Sequence, residues 1–407
     1  MKVLVVGSGA REHALAWRIA QSPLLTELHA APGNPGIAAL GTCHPVRAID
    51  GEGLLDLCQA ISIDLVVIGP EAPLVAGVAD QLRLAGIAVF GPSSDAAQIE
   101  GSKSFAKEVM TAAGVPTARA LAIAQPPCVV KADGLAAGKG VFVCHTADEV
   151  ETALREASAL GDIILIEELI EGDEVSLFAL SDGLNVIPLA AAQDFKRIGD
   201  GDLGPNTGGM GAYSPVPWLD DAAALVEETC RPVIAELARR GTPFVGCLFA
   251  GLMMTAAGPR VLEYNARFGD PETQVLMPRL LGDLLEALAA AAHGDLAGIS
   301  LGAGDDSAVT VVLAGPEYPA RSDYAGAAID GLEAAERAGA LVFHGGTALR
   351  DGRLVTNGGR ILSVTGVAPT LASARDRAYA AVEHVTFEGV QYRRDIAAVA
   401  SAGATSA

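Results

Sequence analysis

The stretch Val261-Leu262-Glu263-Tyr264-Asn265-Ala266-Arg267-Phe268-Gly269-Asp270-Pro271-Glu272 reads as a strand running into a turn. Side chains alternate across a β-strand. Leu262, Tyr264, Ala266 and Phe268 are therefore expected on one face, and Glu263, Asn265 and Arg267 on the other. A carboxylate, an amide oxygen and a guanidinium then stand in a row. Hard oxygen ligands suit Mg²⁺, and an adjacent Arg suits a carboxylate or phosphate. A half-exposed strand with a solvated polar face has the same pattern, so the stretch alone leaves both readings open. Upstream, residues 244–253 form an apolar strand, and Thr255-Ala256-Ala257-Gly258-Pro259 turns it back. An antiparallel hairpin is predicted.

The rest of the chain supplies context for that polar face. Residues 2–6 read as a buried strand; Gly7-Ser8-Gly9-Ala10-Arg11 turns the chain, and a helix is predicted over 12–20. Free backbone N–H groups at such a helix start suit an anion; a glycine turn that merely packs helix on strand is the alternative. Glu12 breaks the GxGxxG spacing, and the next strand, 27–31, ends without an acidic residue for a ribose diol. A nicotinamide cofactor is thereby disfavoured. Residues 65–74 repeat the strand–glycine–helix logic, with Glu71 at the strand's carboxyl end. A third unit closes by residue 92, so a parallel doubly wound sheet is expected.

Beyond it, a helix over 102–113 carries Lys103 and Lys107. A strand ending in Lys131 runs into Ala132-Asp133-Gly134-Leu135-Ala136-Ala137-Gly138-Lys139-Gly140. The glycine spacing and the residue after Lys139 differ from a Walker loop. A glycine hairpin tip that closes over phosphates is one reading, and a flexible hairpin the other. Thr146-Ala147-Asp148-Glu149 is a capping box opening a helix to about residue 160. A strand follows to Glu167-Glu168-Leu169, then another over 175–180 after Glu171-Gly172-Asp173-Glu174. The glycine-rich segment 199–211 is expected to lack regular structure. It mixes Asp, Asn, Pro and Met, which points to a functional loop. A helix is predicted over 220–240, where Pro232 can place a kink, and another over 274–292.

Length and composition bound the answer. A chain of 407 residues implies two to four structural units. Net charge −21 argues against non-specific nucleic-acid binding and against an anionic membrane surface. Six scattered cysteines with no CxxC pair read as thiols in a reducing cytosol. No apolar run approaches the roughly 18 residues that span a bilayer, and the residues before Gly7 are too few for a signal peptide. A soluble, cytoplasmic protein is expected.

These motifs together resemble the ATP-grasp carboxylate–amine ligases, and among them the phosphoribosylamine–glycine ligase family. The resemblance spans essentially the whole chain. It rests on Gly9-Ala10-Arg11-Glu12-His13-Ala14, on Gly69-Pro70-Glu71, on the 131–140 loop, on 199–211, and on Arg267-Phe268-Gly269-Asp270-Pro271-Glu272. It implies an α/β and α+β multidomain chain. A Rossmann-like N-terminal domain with a linking helix is expected over 1–120, an inserted lid over 121–190, an ATP-grasp catalytic core over 191–325 and a small α+β C-terminal domain over 326–407. The implied reaction takes ATP, glycine and 5-phosphoribosylamine to glycinamide ribonucleotide, ADP and phosphate, through a glycyl phosphate, in purine biosynthesis.

The same resemblance implies the residue roles. ATP falls to Lys103, Lys131, Gly134, Gly138 and Gly140, with Glu167, Glu168 and the Leu169 backbone on the adenine side and Glu174 on the ribose. Glu263 and Asn265 are the metal ligands, for Mg²⁺ or Mn²⁺. Arg267, Asp270 and Lys139 are the catalytic candidates. Gly9, Ala10, Arg11, Glu71, Asp194, Lys196 and Arg267 are assigned to substrate. Small-molecule partners only are implied, on a monomer or weak dimer. Three departures stand out: Ala10 where a second Gly is usual, Phe195 where His is usual, and no carboxylate on the 244–253 strand. The last leaves two alternatives: no second metal, or one that borrows Asp200, Asp202 or Asp270. Another ATP-grasp ligase, such as a biotin-dependent carboxylase, is the competing expectation; an ATP-binding sensor without chemistry is the non-enzymatic one.

Overall fold

The computed structural model describes residues 1–135, 140–161 and 163–403. Lys139 and Gly138 therefore lie outside the described residues.

The N-terminal unit is a five-stranded parallel sheet. Its order is Thr42–Cys43, Glu27–Pro32, Lys2–Gly7, Leu65–Ile68, Ala88–Phe90. Val3 to Val6 and Leu65 to Val67 are fully buried, as strands covered by helices on both faces must be. The strand order reverses between Lys2–Gly7 and Leu65–Ile68, and the crevice at that switch point is where open α/β sheets receive ligands. The turns carrying Gly9 and Glu71 both leave from it.

The next unit is a three-stranded antiparallel sheet, Val141–Cys144, Cys128–Ala132, Ile164–Glu168, under the helix Ala147–Leu160. Its core of Cys128, Val130, Ala132, Cys144, Val150, Ala153 and Ala157 is separate from the rest of the interior. Thr146 and Glu149 cap the helix reciprocally, as their spacing predicts.

The sheets divide the chain differently from the expected 121–190 and 191–325 bounds. Strand Asp173–Asp182, grouped from sequence with the lid, pairs along its whole length with Val245–Thr255. With Val186–Pro188 and Gly258–Asn265 it forms a four-stranded antiparallel sheet. A fourth sheet runs Gln193–Asp194, Gly211–Ser214, Ser307–Ala314, Arg360–Ala368, Leu341–His344, so it threads the core and C-terminal segments together.

Local chemistry explains the other differences. The helix predicted over 220–240 is two helices, Ala222–Thr229 and Arg231–Arg239, with Pro232 in the first turn of the second. The one predicted over 274–292 breaks at Pro278 into Thr273–Leu276 and a 3₁₀ turn. It restarts as Leu284–His293 under an Asp283 cap.

The glycine-rich segment is not irregular. Arg197–Gly199 pairs with Leu203–Asn206 around a turn where Gly201 has φ 66° and Asp202 φ 55°. Arg393, 1% exposed, holds that turn from the C-terminal segment, pairing with Asp202 at 2.6 Å and Asp395 at 2.6 Å. Asp200 accepts from the Arg394 N–H at 2.7 Å. Phe195 packs beneath Arg393, its ring centroid 4.8 Å from the guanidinium carbon, which is a packing role. Replacing Arg393 with Leu removes the cation between two partly exposed carboxylates. We expect a loss of about 2 kcal/mol, read as a lower midpoint of the first transition in urea.

Candidate active site

The hairpin Val245–Thr255 and Gly258–Asn265 forms as expected, but with a β-bulge. Glu263 faces Gly251 while Val261 faces Leu252, so Leu262 is the extra residue. Val261, not Leu262, joins Tyr264 and Ala266 in the core, which corrects the simple alternation. The bulge turns the Leu262 carbonyl toward Lys131 Nζ, 3.2 Å away. Glu263 is exposed beside glycine, with no side chain opposite to cover it.

Arg267 is the most heavily partnered group of the site. Its Nη2 pairs with Glu100 Oε1 at 3.0 Å and donates to Asn265 Oδ1 at 3.1 Å. Its Nε stands 3.3 Å from Glu71 Oε2, and Nη1 donates to the Phe268 carbonyl at 3.3 Å. A guanidinium has five N–H donors; Nε, though ion-paired with Glu71, makes no hydrogen bond among the described residues, and one Nη1 hydrogen is left over as well. Burial lowers the Arg267 proton affinity, but Glu100 and Glu71 outweigh it and raise the pKa above the ordinary Arg range. Burial raises Glu100 despite Arg267, whereas at Glu71 burial is overcome by Arg267 and Arg11 and the pKa falls. Glu100, on helix Ser94–Gly101, was missed from sequence. A lone acid late in a helix carries no signal until the fold sets it beside Arg267.

Lysines line the other side. Lys103 Nζ donates to the Gly134 carbonyl at 2.9 Å, and burial lowers its pKa against the pull of Glu263. Asp133 ties the loop to the start of helix Lys103–Ala113 through Gly134 N–H at 2.9 Å and Ser102 Oγ at 3.2 Å. Gly140 accepts from the Ala132 N–H at 2.8 Å. Glu167, given from sequence to adenine, is 2% exposed, its carboxylate shared between Lys131 at 2.6 Å and Lys107. Glu168 accepts from the Arg119 N–H at 2.9 Å. Leu169 follows the end of strand Ile164–Glu168. Glu174, given to the ribose, pairs with Lys196 at 2.5 Å, and Lys196 also holds Asp194 at 2.9 Å. The substrate candidates Asp194 and Lys196 thus sit together with Glu174.

The first glycine turn is filled from within. The Glu12 carboxylate accepts from Gly9 N–H at 2.6 Å and from Arg11 Nε at 2.6 Å. A Cβ on Gly7 or Gly69 would collide with Glu12. The helix start therefore already holds a carboxylate, and its Gly9 amide is not open to an outside anion as the sequence suggested. Ala10 and Arg11 are each 6% exposed; Arg11 donates to the Phe268 carbonyl at 3.1 Å and so docks this turn on the Arg267–Glu272 segment.

Asp270 meets the C-terminal unit. Arg360 Nη2 pairs with Asp270 Oδ2 at 2.9 Å, and its Nη1 donates to the Asp270 carbonyl at 2.7 Å and to the carbonyls of Gly208 and Gly209. Gln274 Nε2 donates to Asp270 Oδ1 at 2.8 Å. Gly209, at φ 109°, lies so close to Pro271 that a side chain would clash. Glu272 is buried, accepts from Ser176 Oγ at 3.3 Å, and is pushed up to about 7 by burial and then by Asp194. Arg360 and Gln274 were also missed, because their relevance is purely one of contact across the fold.

The metal question turns on Glu263 and Asn265. No group of three or more His, Cys, Asp or Glu suited to a metal occurs among the described residues. Asp200, Asp202 and Asp270, the reserve ligands suggested by sequence, are engaged by Arg394, Arg393 and Arg360. An exposed carboxylate and an amide oxygen with a second lone pair do fit a hard cation that takes its remaining oxygens from phosphate. The buried Asn265 Nδ2 has no partner among the described residues, so the amide is not fully committed to the protein.

Comparison with known proteins gives the family. The chain matches models of the phosphoribosylglycinamide synthetase N domain over residues 1–100, its ATP-grasp (A) domain over 101–273 and its C domain over 308–399. It is 52% identical over 419 aligned positions to phosphoribosylamine–glycine ligase of Streptomyces coelicolor, covering 98% of this chain and 100% of that one. The corresponding Rhizobium meliloti ligase is 50% identical, covering 97% and 98%. The crystal structure of the Thermotoga maritima ligase superposes with TM-score 0.83 at 35% identity, covering 97% of this chain and all of that one. A biotin carboxylase domain from Hydrogenobacter thermophilus, at 20% identity and TM-score 0.69, shares the fold alone. No helix among the described residues is long and apolar enough to cross a membrane. The chain belongs to the phosphoribosylglycinamide synthetase family, the ADP-forming phosphoribosylamine–glycine ligases of purine biosynthesis.

Proposed function

We propose that this chain joins glycine to 5-phosphoribosylamine through a glycyl phosphate, with ATP as phosphoryl donor, in the cytoplasm. The observation that carries the reading is the Glu263–Asn265–Arg267 edge facing Lys103 and Lys131. An amine cannot displace hydroxide from a carboxylate, so the glycine carboxylate must first take the γ-phosphoryl group. Phosphoryl transfer is mostly a matter of positioning and charge stabilisation. Lys103 and Lys131 supply positive charge for the ATP phosphates. The Glu168–Leu169 backbone suits the adenine edge, because the Glu167 side chain is already occupied. Mg²⁺ (or Mn²⁺) held by Glu263 and Asn265 would neutralise phosphate charge during the transfer.

Arg267 has one Nη1 hydrogen in hand for the glycine carboxylate, and its Nε, ion-paired but not hydrogen-bonded to Glu71, is a second donor wherever Glu71, half-buried at the cleft, yields its place. The ribosylamine nitrogen then attacks the acyl carbon. The carbon–oxygen bond to phosphate breaks, phosphate leaves with the electron pair, and the nitrogen sheds a proton. Asp270, locked by Arg360 and Gln274, keeps the Gly208–Gly209 backbone against this centre.

Two measurements check this. ADP release is expected to require both glycine and 5-phosphoribosylamine, and glycine labelled with ¹⁸O in its carboxylate is expected to deliver one label to the released phosphate. Bicarbonate-dependent ADP release, or phosphate free of label, would sink the reading. Glu263→Gln is expected to raise the Mg²⁺ concentration at half-maximal rate by about tenfold or more, about 1.4 kcal/mol of lost binding, with the thermal midpoint little changed because the residue is exposed.

A further inference from the structure

Lys107 is the charged residue of this region that the mechanism above leaves without a task. It lies one turn beyond Lys103 on helix Lys103–Ala113, hence on the same face. Its ammonium has three hydrogens, and all three are accounted for. Nζ donates to Thr117 Oγ1 at 2.9 Å and to the Ala118 carbonyl at 2.6 Å, and it pairs with Glu167 Oε1. Lys107 therefore has no donor to offer a nucleotide directly. The second Glu167 oxygen pairs with Lys131 Nζ at 2.6 Å. The three side chains are 15%, 3% and 10% exposed for Lys107, Glu167 and Lys131.

Charge balance gives this arrangement a consequence. Glu167 and Lys131 alone would be a neutral pair, and a polyphosphate would find little net field there. With Lys107 on the other carboxylate oxygen the trio carries one net positive charge, in surroundings where screening by water is weak. We propose that Lys107 is a positioning residue for ATP: by occupying one oxygen of Glu167, it keeps the Lys131 ammonium electrostatically available to the nucleotide phosphates. The inference rests on the ATP-dependent reading of the site and adds a residue to it.

The test is calorimetric titration of the full chain with ATP and Mg²⁺, without glycine or 5-phosphoribosylamine. Lys107→Met is expected to weaken ATP binding by about tenfold. Adding Glu167→Gln to it is expected to restore binding to within about threefold of the parent, because an amide no longer cancels Lys131. A merely structural role for Lys107 would not be repaired by a second loss of charge. Unchanged affinity in Lys107→Met, or a loss that Glu167→Gln does not repair, overturns the proposal. Should Lys107→Met fail to fold, Glu167→Gln alone carries the test: binding as tight as the parent or tighter supports the proposal, and weaker binding overturns it. A parent chain that binds ATP yet releases no ADP with both substrates would instead overturn the ligase reading and leave this one standing.

Discussion

A guanidinium taken out of water must be paired or it destabilises the fold by several kcal/mol. Arg267 meets that requirement by recruiting three separate pieces of chain. Glu71 comes from the switch point of the parallel sheet, Glu100 from the helix that leaves it, and Asn265 from the last position of the core strand. The crevice between the N-terminal unit and the ATP-grasp sheet is therefore pinned by one cation. Because the partners together are more negative than Arg267 is positive, the group stays charged while keeping a donor in hand. Stability and chemistry here depend on the same contacts.

Two further arginines close the site from the far end of the chain. Arg360 gathers Asp270 and the Gly208–Gly209 backbone, and Arg393 gathers the Asp202 turn with Asp395. Both lie in the C-terminal unit, which carries no constellation of its own in sequence. Its contribution is to make the glycine-rich segment an ordered hairpin instead of a free loop. Gly209 shows why glycine is needed there: its φ is positive and Pro271 leaves no room for a side chain.

Electrostatic economy on the nucleotide side follows the same logic. Each acid near the lysines is already partnered: Glu167 by Lys107 and Lys131, Glu174 and Asp194 by Lys196. The exposed exception is Glu263, which has glycine opposite it on the neighbouring strand. Among the described residues Glu263 makes no ion pair and the Asn265 amide nitrogen beside it has no partner, which distinguishes this candidate metal position from the structural ion pairs around it.

Much of this was legible in the residues. The strand–glycine–helix units announce a parallel sheet because buried parallel strands are uniformly apolar and their turns need glycine. The apolar run before Gly258 announces the hairpin, and Thr146 with Glu149 announces a helix start. The Arg267–Glu272 run and the 131–140 loop carry the family. Tertiary structure alone decided the rest, since side-chain partners distant in sequence leave no local pattern. Alternation could not foresee the bulge at Leu262, which arises from register against Val245–Thr255 and turns a carbonyl to Lys131. Spacing suggested an anion site at Gly9, yet Glu12 folds back and fills it. The types of residue that could do the chemistry were thus set by sequence. Which of their polar atoms stay free for ligands was set by packing, because a carboxylate or guanidinium is available only when no neighbour from elsewhere in the fold has already paired with it.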